Sequence, residues 1–279
     1  MKLSIRAVDF FRVLEIKRVV NDKDFARSLY DGFDDFFLGV SQTRGLKKDS
    51  NTSYKRNEPK NSDVKKYDQL RKMNENKLYA IFADALKDDK KGPLGKILNR
   101  KMKLEREQGK GEEVDLLSFY SAKESSVYVI EVKACGSRES PLRAMYEALT
   151  CWLELIDDKR RNEQLEKGDC LKGNAKEFIE KYMEDNPGSD FKVEPKEVCL
   201  RPAILLYKGS KKGKTYQNAS TTYKDLCAPP EDAYKELYER ILKYVKCFSY
   251  EGGTPDSLEI HPFDPLEEWK NPKPSRTRR

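Results

Sequence analysis

The sequence predicts an α/β fold, a sheet with helices on its faces, preceded by an N-terminal helical extension over residues 1–40. Three observations carry this. Helical periodicity recurs over 25–37, 74–86, 140–156 and 231–245. Between the second and third of these stretches lie short apolar segments separated by Gly- or Ser-containing turns, which read as three meandering strands. Another apolar run at 200–207 precedes the last helix. Strands and helices therefore alternate, as they do when helices cover a sheet.

Taken in order, the polar start Asn21-Asp22-Lys23-Asp24 precedes Phe25, Leu29, Tyr30, Phe33, Phe36 and Phe37 at helical spacing. Residues 5–20 mix helix and strand signals, and residues 41–66 hold so few apolar side chains that they read as a polar loop or linker. Leu78, Ile81, Phe82, Ala85 and Leu86 form the stripe of a helix over 74–86, with Glu75 in its first turn, and Gly92-Pro93 closes that segment. Lys101 to Glu107 alternates polar and apolar like a half-exposed strand, and Gln108 to Gly111 is a turn. Val114–Tyr120 and Val127–Ala134 are the next strands, joined by a turn at Ser121–Ser126. The latter strand is apolar on both faces and belongs at the sheet's centre. Ser140 caps a helix and Pro141 opens it; Leu142, Met145, Tyr146, Leu149, Trp152, Leu153 and Ile156 make its apolar face. A short helix is expected near 175–183. The strand at 200–207 carries Pro202, which favours an edge or a strand entry. Tyr234, Leu237, Tyr238, Ile241 and Val245 mark the last helix, followed by strand-like pieces at 247–250 and 258–261. The reading is an extension (1–40), a polar loop (41–66), a main domain (67–265) and a basic tail (266–279), of which 270–279 is expected to be disordered.

Composition narrows the function. In 279 residues, 55 Lys+Arg face 48 Asp+Glu, a net charge of +7. Charged residues make up 37%, against about 25% in an average domain, yet 10% aromatics are too many for a disordered chain. No apolar window is long enough to cross a membrane, and the charged start is not a signal peptide. A single histidine, His261 beside Pro262, excludes HExxH, His-rich and HNH centres, and is expected to be incidental. Cys135, Cys151, Cys170, Cys199, Cys227 and Cys247 lie 16 to 29 residues apart with no CxxC pair, which excludes zinc ribbons and fits reduced thiols in a cytoplasm. The run Lys208 to Lys214 is a basic glycine-containing loop without P-loop spacing.

The informative segment runs from Asp115 to Glu131-Val132-Lys133. Strand alternation puts Glu131 and Lys133 on one face with Val129, and Ile130 and Val132 on the other. If the hairpin centres on Lys123, paired residue numbers sum to 246 and Asp115 faces Glu131. Two carboxylates about 4.5–5.5 Å apart repel, and a one-residue slip would turn Asp115 to the wrong face. A divalent cation between them reverses the sign. Mg²⁺ wants oxygen ligands, often only one or two carboxylates plus water and phosphate. A neighbouring lysine then holds or activates water and offsets charge on a phosphodiester.

At these residues the sequence resembles the PD-(D/E)XK phosphodiesterase superfamily, whose fold is restriction-endonuclease-like. The match is Asp115, fifteen residues, then Glu131-Val132-Lys133, and it spans residues 74–156. It implies a mixed central sheet flanked by helices and an Mg²⁺-dependent nuclease in which Mn²⁺ can substitute. Carried over, Asp115 and Glu131 are metal ligands with the Val132 carbonyl as a third, Lys133 is the catalytic lysine, and Glu75 matches an acidic residue many members carry on the preceding helix. Val114 replaces the proline of the motif's name. Leu142 stands where some relatives carry a glutamine four residues before the tyrosine equivalent to Tyr146. Arg143 and Glu147, on the polar face of that helix, are placed to approach the site.

The resulting expectation is a DNA endonuclease, as in restriction or anti-phage defence, acting as a homodimer for double-strand cleavage. The basic segments 44–60, 208–214 and 270–279 would contact phosphates. The alternatives are a nuclease acting on RNA or single-stranded ends, and a silent nucleic-acid-binding subunit. Plainer readings stand beside these. Glu131 and Lys133 could form a surface ion pair worth about 0–1 kcal/mol. Glu75 could serve a helix N-terminus, Tyr146 could be core, and Arg143–Glu147 an ordinary i,i+4 pair.

Overall fold

The computed structural model describes residues 23–44, 54, 70–87, 92–104, 113–120, 125–188, 193–212 and 215–270. Its helices are α1 (Lys23–Asp31), α2 (Phe33–Arg44), α3 (Glu75–Ala85), α4 (Pro141–Glu154), α5 (Asp158–Lys167), α6 (Lys176–Asp185), α7 (Thr221–Cys227), α8 (Asp232–Leu242) and α9 (Pro265–Lys270). The strands are β1 (Lys96–Lys103), β2 (Glu113–Tyr120), β3 (Ser126–Lys133), β4 (Cys199–Lys212), β5 (Thr215–Gln217), β6 (Lys246–Glu251) and β7 (Glu259–Pro262). Six form one mixed sheet in the order β1-β2-β3-β4-β6-β7, and β5 pairs with β4 off that path. β1, β2 and β3 are an antiparallel meander. β4 lies parallel to β3 and β6 parallel to β4, and β7 returns antiparallel on β6. Each parallel step needs a crossover: α4, α5 and α6 make the first, α7 and α8 the second.

Local chemistry starts the helices that cover the sheet. The Asn74 side chain accepts from the Lys77 N–H ahead of α3, and Ser140 accepts from Arg143 N–H ahead of α4, with Pro141 in its first turn. Strand alternation then divides the core. On one face Leu116, Ile130, Val132, Leu205 and Tyr250 pack with Leu78, Ile81 and Phe82 of α3. On the other, Leu117, Val129, Ile204 and Leu206 pack with Leu149 and Trp152 of α4. Trp152 is fully buried, and its indole N–H donates to the Leu200 carbonyl at 2.8 Å. Truncation of such a residue costs about 3–5 kcal/mol, so the packing of α4 on the strands anchors the fold.

The meander and the interior position of β3 agree with the sequence reading. The N-terminal helices are not an appendage: Phe36 meets Tyr146 edge-on at 4.9 Å and Phe37 meets Trp152 at 5.6 Å, inside the same core as α4. Arg240 ties them to α8 by donating to the Tyr30 carbonyl and to Asp34. Tyr54, within the expected polar loop, packs on Phe178 and donates its N–H to Asp185. The rest of 45–69, residues 1–22 and the tail from 271 lie outside the described residues.

Three expectations are corrected and one, at Pro202, is resolved. The first strand is Lys96–Lys103, not 101–107, because buried Ile97, Leu98 and Met102 carry it. It begins immediately after Gly95, whose φ is +66° and where a Cβ would stand 2.1 Å from the Phe119 carbonyl oxygen, so only glycine fits. Pro202 meets the strand-entry alternative rather than the edge one: it lies near the start of an interior strand. The β6 ladder starts only at Ala203, so the proline sits where one flank of β4 is still open. The basic run at 208–214 is largely strand: β4 continues to Lys212, and Ser210, Lys211 and Lys212 pair with Gln217, Tyr216 and Thr215 of β5. Finally, residues 266–270 are helical and docked, since Trp269 donates to the Leu226 carbonyl at 2.8 Å and packs edge-on against Tyr238. Helices α5, α7 and α9 have no counterpart in the sequence reading.

Candidate active site

The β2–β3 ladder runs from Tyr120↔Ser126 to Leu116↔Ile130, and every pair sums to 246. The register agrees with a turn centred on Lys123, and the ladder stops one residue short of Asp115 and Glu131. There the side chain takes over from the backbone ladder: Asp115 Oδ2 accepts the N–H of Val132 at 2.9 Å. The Tyr79 hydroxyl, from α3, donates to the same carboxylate. Asp115 is thus held by one strand and one helix, and it is 9% exposed.

Lys133 stands two residues beyond Glu131, buried, with its ammonium among three carboxylates. Nζ lies 2.8 Å from Glu131 Oε1, 2.7 Å from Glu147 Oε2 and 2.5 Å from Glu139 Oε2. Glu147 is also bound through its other oxygen by Arg143 Nε at 2.8 Å. Helix α4 and the loop after β3 therefore supply acids to a lysine that the strand delivers. Glu75, at the first position of α3, extends toward the same group: Lys133, Glu139 and Glu147 all act on its charge, and a backbone hydrogen bond from Ala134 supports it.

Electrostatics follow from burial. Asp115 is pushed up to about 6, chiefly by loss of water, although the Val132 N–H, the Tyr79 hydroxyl and Lys133 oppose the rise. Glu131 is raised for the same reason, and the Asp115 charge across the strands adds to it. Glu75 is raised by burial as well. Glu147 moves down, because Lys133 and Arg143 outweigh its desolvation. Lys133 is raised against its own burial by Glu131, Glu147 and Glu139. Those three carboxylates favour its ammonium form, which suits holding water and balancing charge. Burial of acids that repel each other marks a place that favours added positive charge. Hard carboxylate oxygens are the donor set that Mg²⁺ or Mn²⁺ uses, so the residues present fit such an ion.

The fold thus gathers Asp115, Glu131, Lys133 and Glu75 into one electrostatic neighbourhood, with Val132 contributing its N–H beside Asp115. It does not draw the acids into a tight cage. Among the described residues, the one group of three metal-capable side chains with ligand atoms all within 4.8 Å is Glu251, Glu259 and His261, elsewhere on the sheet. Tyr146 is fully buried core, against Phe36. Arg143 and Glu147 reach the site, whereas Glu139 and Tyr79 were missed by sequence reasoning. Tyr79 was legible as the residue four after Glu75, on the same side of α3. Glu139 had no periodic signal, since it lies in the loop before the α4 cap. Comparison of the chain with protein-family models, with curated proteins and with solved structures finds no match.

Proposed function

We propose that this chain is a divalent-cation-dependent endonuclease acting on DNA, with a restriction-endonuclease-like core. One observation carries the reading: at the end of the β2–β3 ladder Asp115 accepts the Val132 N–H and bears on the charge of Glu131, which is itself ion-paired with Lys133. The mixed sheet with helices on both faces, and the meander that precedes the parallel strands, support the fold assignment. Asp115, Glu131 and the Val132 carbonyl would hold the ion, with Glu75 facing the same neighbourhood. When bound, a divalent ion supplies Lewis-acid charge to a phosphodiester.

The chain's own groups do the rest. The Val132 N–H and Tyr79 hydroxyl fix the Asp115 carboxylate in one orientation. Lys133, kept protonated, orients water and offsets the negative charge that builds on phosphate oxygens during attack. Arg143 restrains Glu147 so that Lys133 keeps a constant position. The remaining elements of the proposal are a homodimer for cutting both strands, phosphate contact by the basic segments, and residence in the cytoplasm. All six cysteines are free thiols, and among the described residues no helix is long and apolar enough to cross a membrane.

The test is cleavage of supercoiled plasmid, linear duplex, single-stranded DNA and RNA with Mg²⁺, Mn²⁺ or EDTA, beside Lys133→Ala. The expected result is metal-dependent cutting of DNA that the variant loses. Preferential cutting of RNA or of single-stranded ends would redirect the substrate assignment. A second reading, a subunit that binds nucleic acid without cutting it, is favoured by the three carboxylates on Lys133. Duplex binding in gel shifts with no cutting under any ion would select it.

A further inference from the structure

The β6–β7 pair carries a second group of ligating side chains that the proposed nuclease chemistry does not use. Glu251 and Glu259 are directly paired in the antiparallel ladder, and Ser249 pairs with His261. Glu251, Glu259 and His261 therefore share one face. Two carboxylates opposite each other repel, and this ladder keeps them there with the protein's only histidine beside them. His261 Nε2 lies 3.2 Å from Glu251 Oε1 and 3.4 Å from Glu259 Oε2.

A separate observation concerns Glu251 alone. It is 8% exposed, and its second oxygen, Oε2, is buried without a hydrogen-bond partner. One imidazole proton cannot satisfy two carboxylates and also an oxygen with no donor. An ion that accepts several oxygens and one imidazole nitrogen can. Zinc ligands lie about 2.0–2.2 Å from the metal, so neighbouring ligand atoms of a tetrahedral site stand about 3.3–3.5 Å apart. Of the two separations at His261, 3.4 Å lies within that edge length and 3.2 Å falls just short of it.

We infer that Glu251, Glu259 and His261 form a binding site for a borderline divalent transition ion, Zn²⁺ being the probe of choice. The imidazole separates it chemically from the all-oxygen set around Asp115, which suits Mg²⁺. Its position gives it a structural task. β7 is a four-residue edge strand held to the sheet by β6 alone, and an ion shared between Glu251 and the two β7 residues would staple that edge.

The experiment is calorimetric titration of Zn²⁺ into the full chain, together with thermal unfolding and the visible spectrum of the Co²⁺-substituted protein. His261→Ala and Glu259→Gln are the primary variants, because both side chains are substantially exposed, at 42% and 66%, and their replacement leaves the core untouched. In the wild type, Zn²⁺ is expected to raise the unfolding temperature, and Co²⁺ to give the bands of a nitrogen–oxygen site without thiolate charge transfer. Each variant should lose one equivalent of Zn²⁺ or weaken it by at least about 10-fold, while Asp115→Asn retains it. Failure of the wild type to bind Zn²⁺ overturns the assignment. So does a wild-type affinity in His261→Ala, or a thiolate band with Co²⁺, since either places the ion elsewhere. The outcome is independent of whether the chain cuts nucleic acid.

Discussion

On β2 and β3, Asp115 and Glu131 lie one residue beyond the last ladder pair, Leu116↔Ile130, and each bears on the other's charge; on β6 and β7, Glu251 is paired with Glu259. Both antiparallel pairs set acid against acid, but they relieve the repulsion differently. The first lies inside the protein, where water cannot screen it. It borrows a backbone N–H, a tyrosine hydroxyl and an ammonium that is itself shared among three acids. The second lies near the surface, where only Glu251 is buried and one imidazole bridges the pair. The lesson is that the same cross-strand motif becomes a strained, networked site when buried and a simple ligand triad when half open.

The largest test of that difference is Lys133→Ala. Removing one member of a buried ion network costs about 3–5 kcal/mol, so urea unfolding should show a marked loss of stability. Cleavage should fall by about 100-fold or more, measured under conditions where the variant remains folded. A variant with wild-type stability and rate would show that the network is not what orders this end of β3.

Asp115→Asn breaks the repulsion without changing volume. The metal-free protein should gain about 0.5–1 kcal/mol, read from urea midpoints, while Mg²⁺ or Mn²⁺ affinity falls by at least about 10-fold in calorimetry. Opposite signs in the two measurements would separate a binding role from a structural one.

A pH titration sharpens the contrast further. The folded-state pKa of Asp115 is raised to about 6 and that of Glu131 is also raised, so the native state binds more protons than the unfolded chain between the ordinary carboxylate range and about pH 6. Stability contributed by these groups is therefore greatest at low pH and declines as pH rises through that window. Divalent-ion affinity at this site should run the other way, rising with pH and releasing protons. Calorimetry in two buffers of different ionisation enthalpy measures that release.

Smaller effects are expected at the margins. Glu75→Gln should slow cleavage by about 10-fold, the order seen when a supporting group near a metal is lost. Least of all, His261→Ala should change the stability of the metal-free protein by no more than about 0.5 kcal/mol, because its side chain is largely solvated. Denaturation without added metal and again with Zn²⁺ makes that comparison.

Much of the first cluster was legible in the sequence, because its geometry is local. A short hairpin between two apolar runs leaves few registers, and a turn centred on Lys123 gives the one observed, which brings Asp115 and Glu131 to the same end of the ladder. Glu75 was legible as an acid in the first turn of a helix. Glu139 was not, since a loop residue has no period to betray its direction. The displaced first strand has a similar cause: Lys101 to Glu107 carries the clearer alternation, but Ile97 and Leu98 carry the buried surface.

By itself, the sequence determined the alternation of helices and strands and the three-strand meander, and it brought Asp115 and Glu131 to the same end of one hairpin, because each depends on residues close along the chain. The tertiary structure alone decided that the N-terminal phenylalanines complete the core, and that Glu139 and Glu147 converge on Lys133. It also decided that Glu251 and Glu259 face each other beside His261. The phenylalanine and Glu147 contacts join segments separated by crossovers or long stretches of chain, whereas Glu139 and the β6–β7 acids are near in sequence but lie on or beside irregular turns whose course carries no periodic signal. The first kind follows from how the helices cover the sheet, and the second from the path of a turn, which strand alternation alone does not encode.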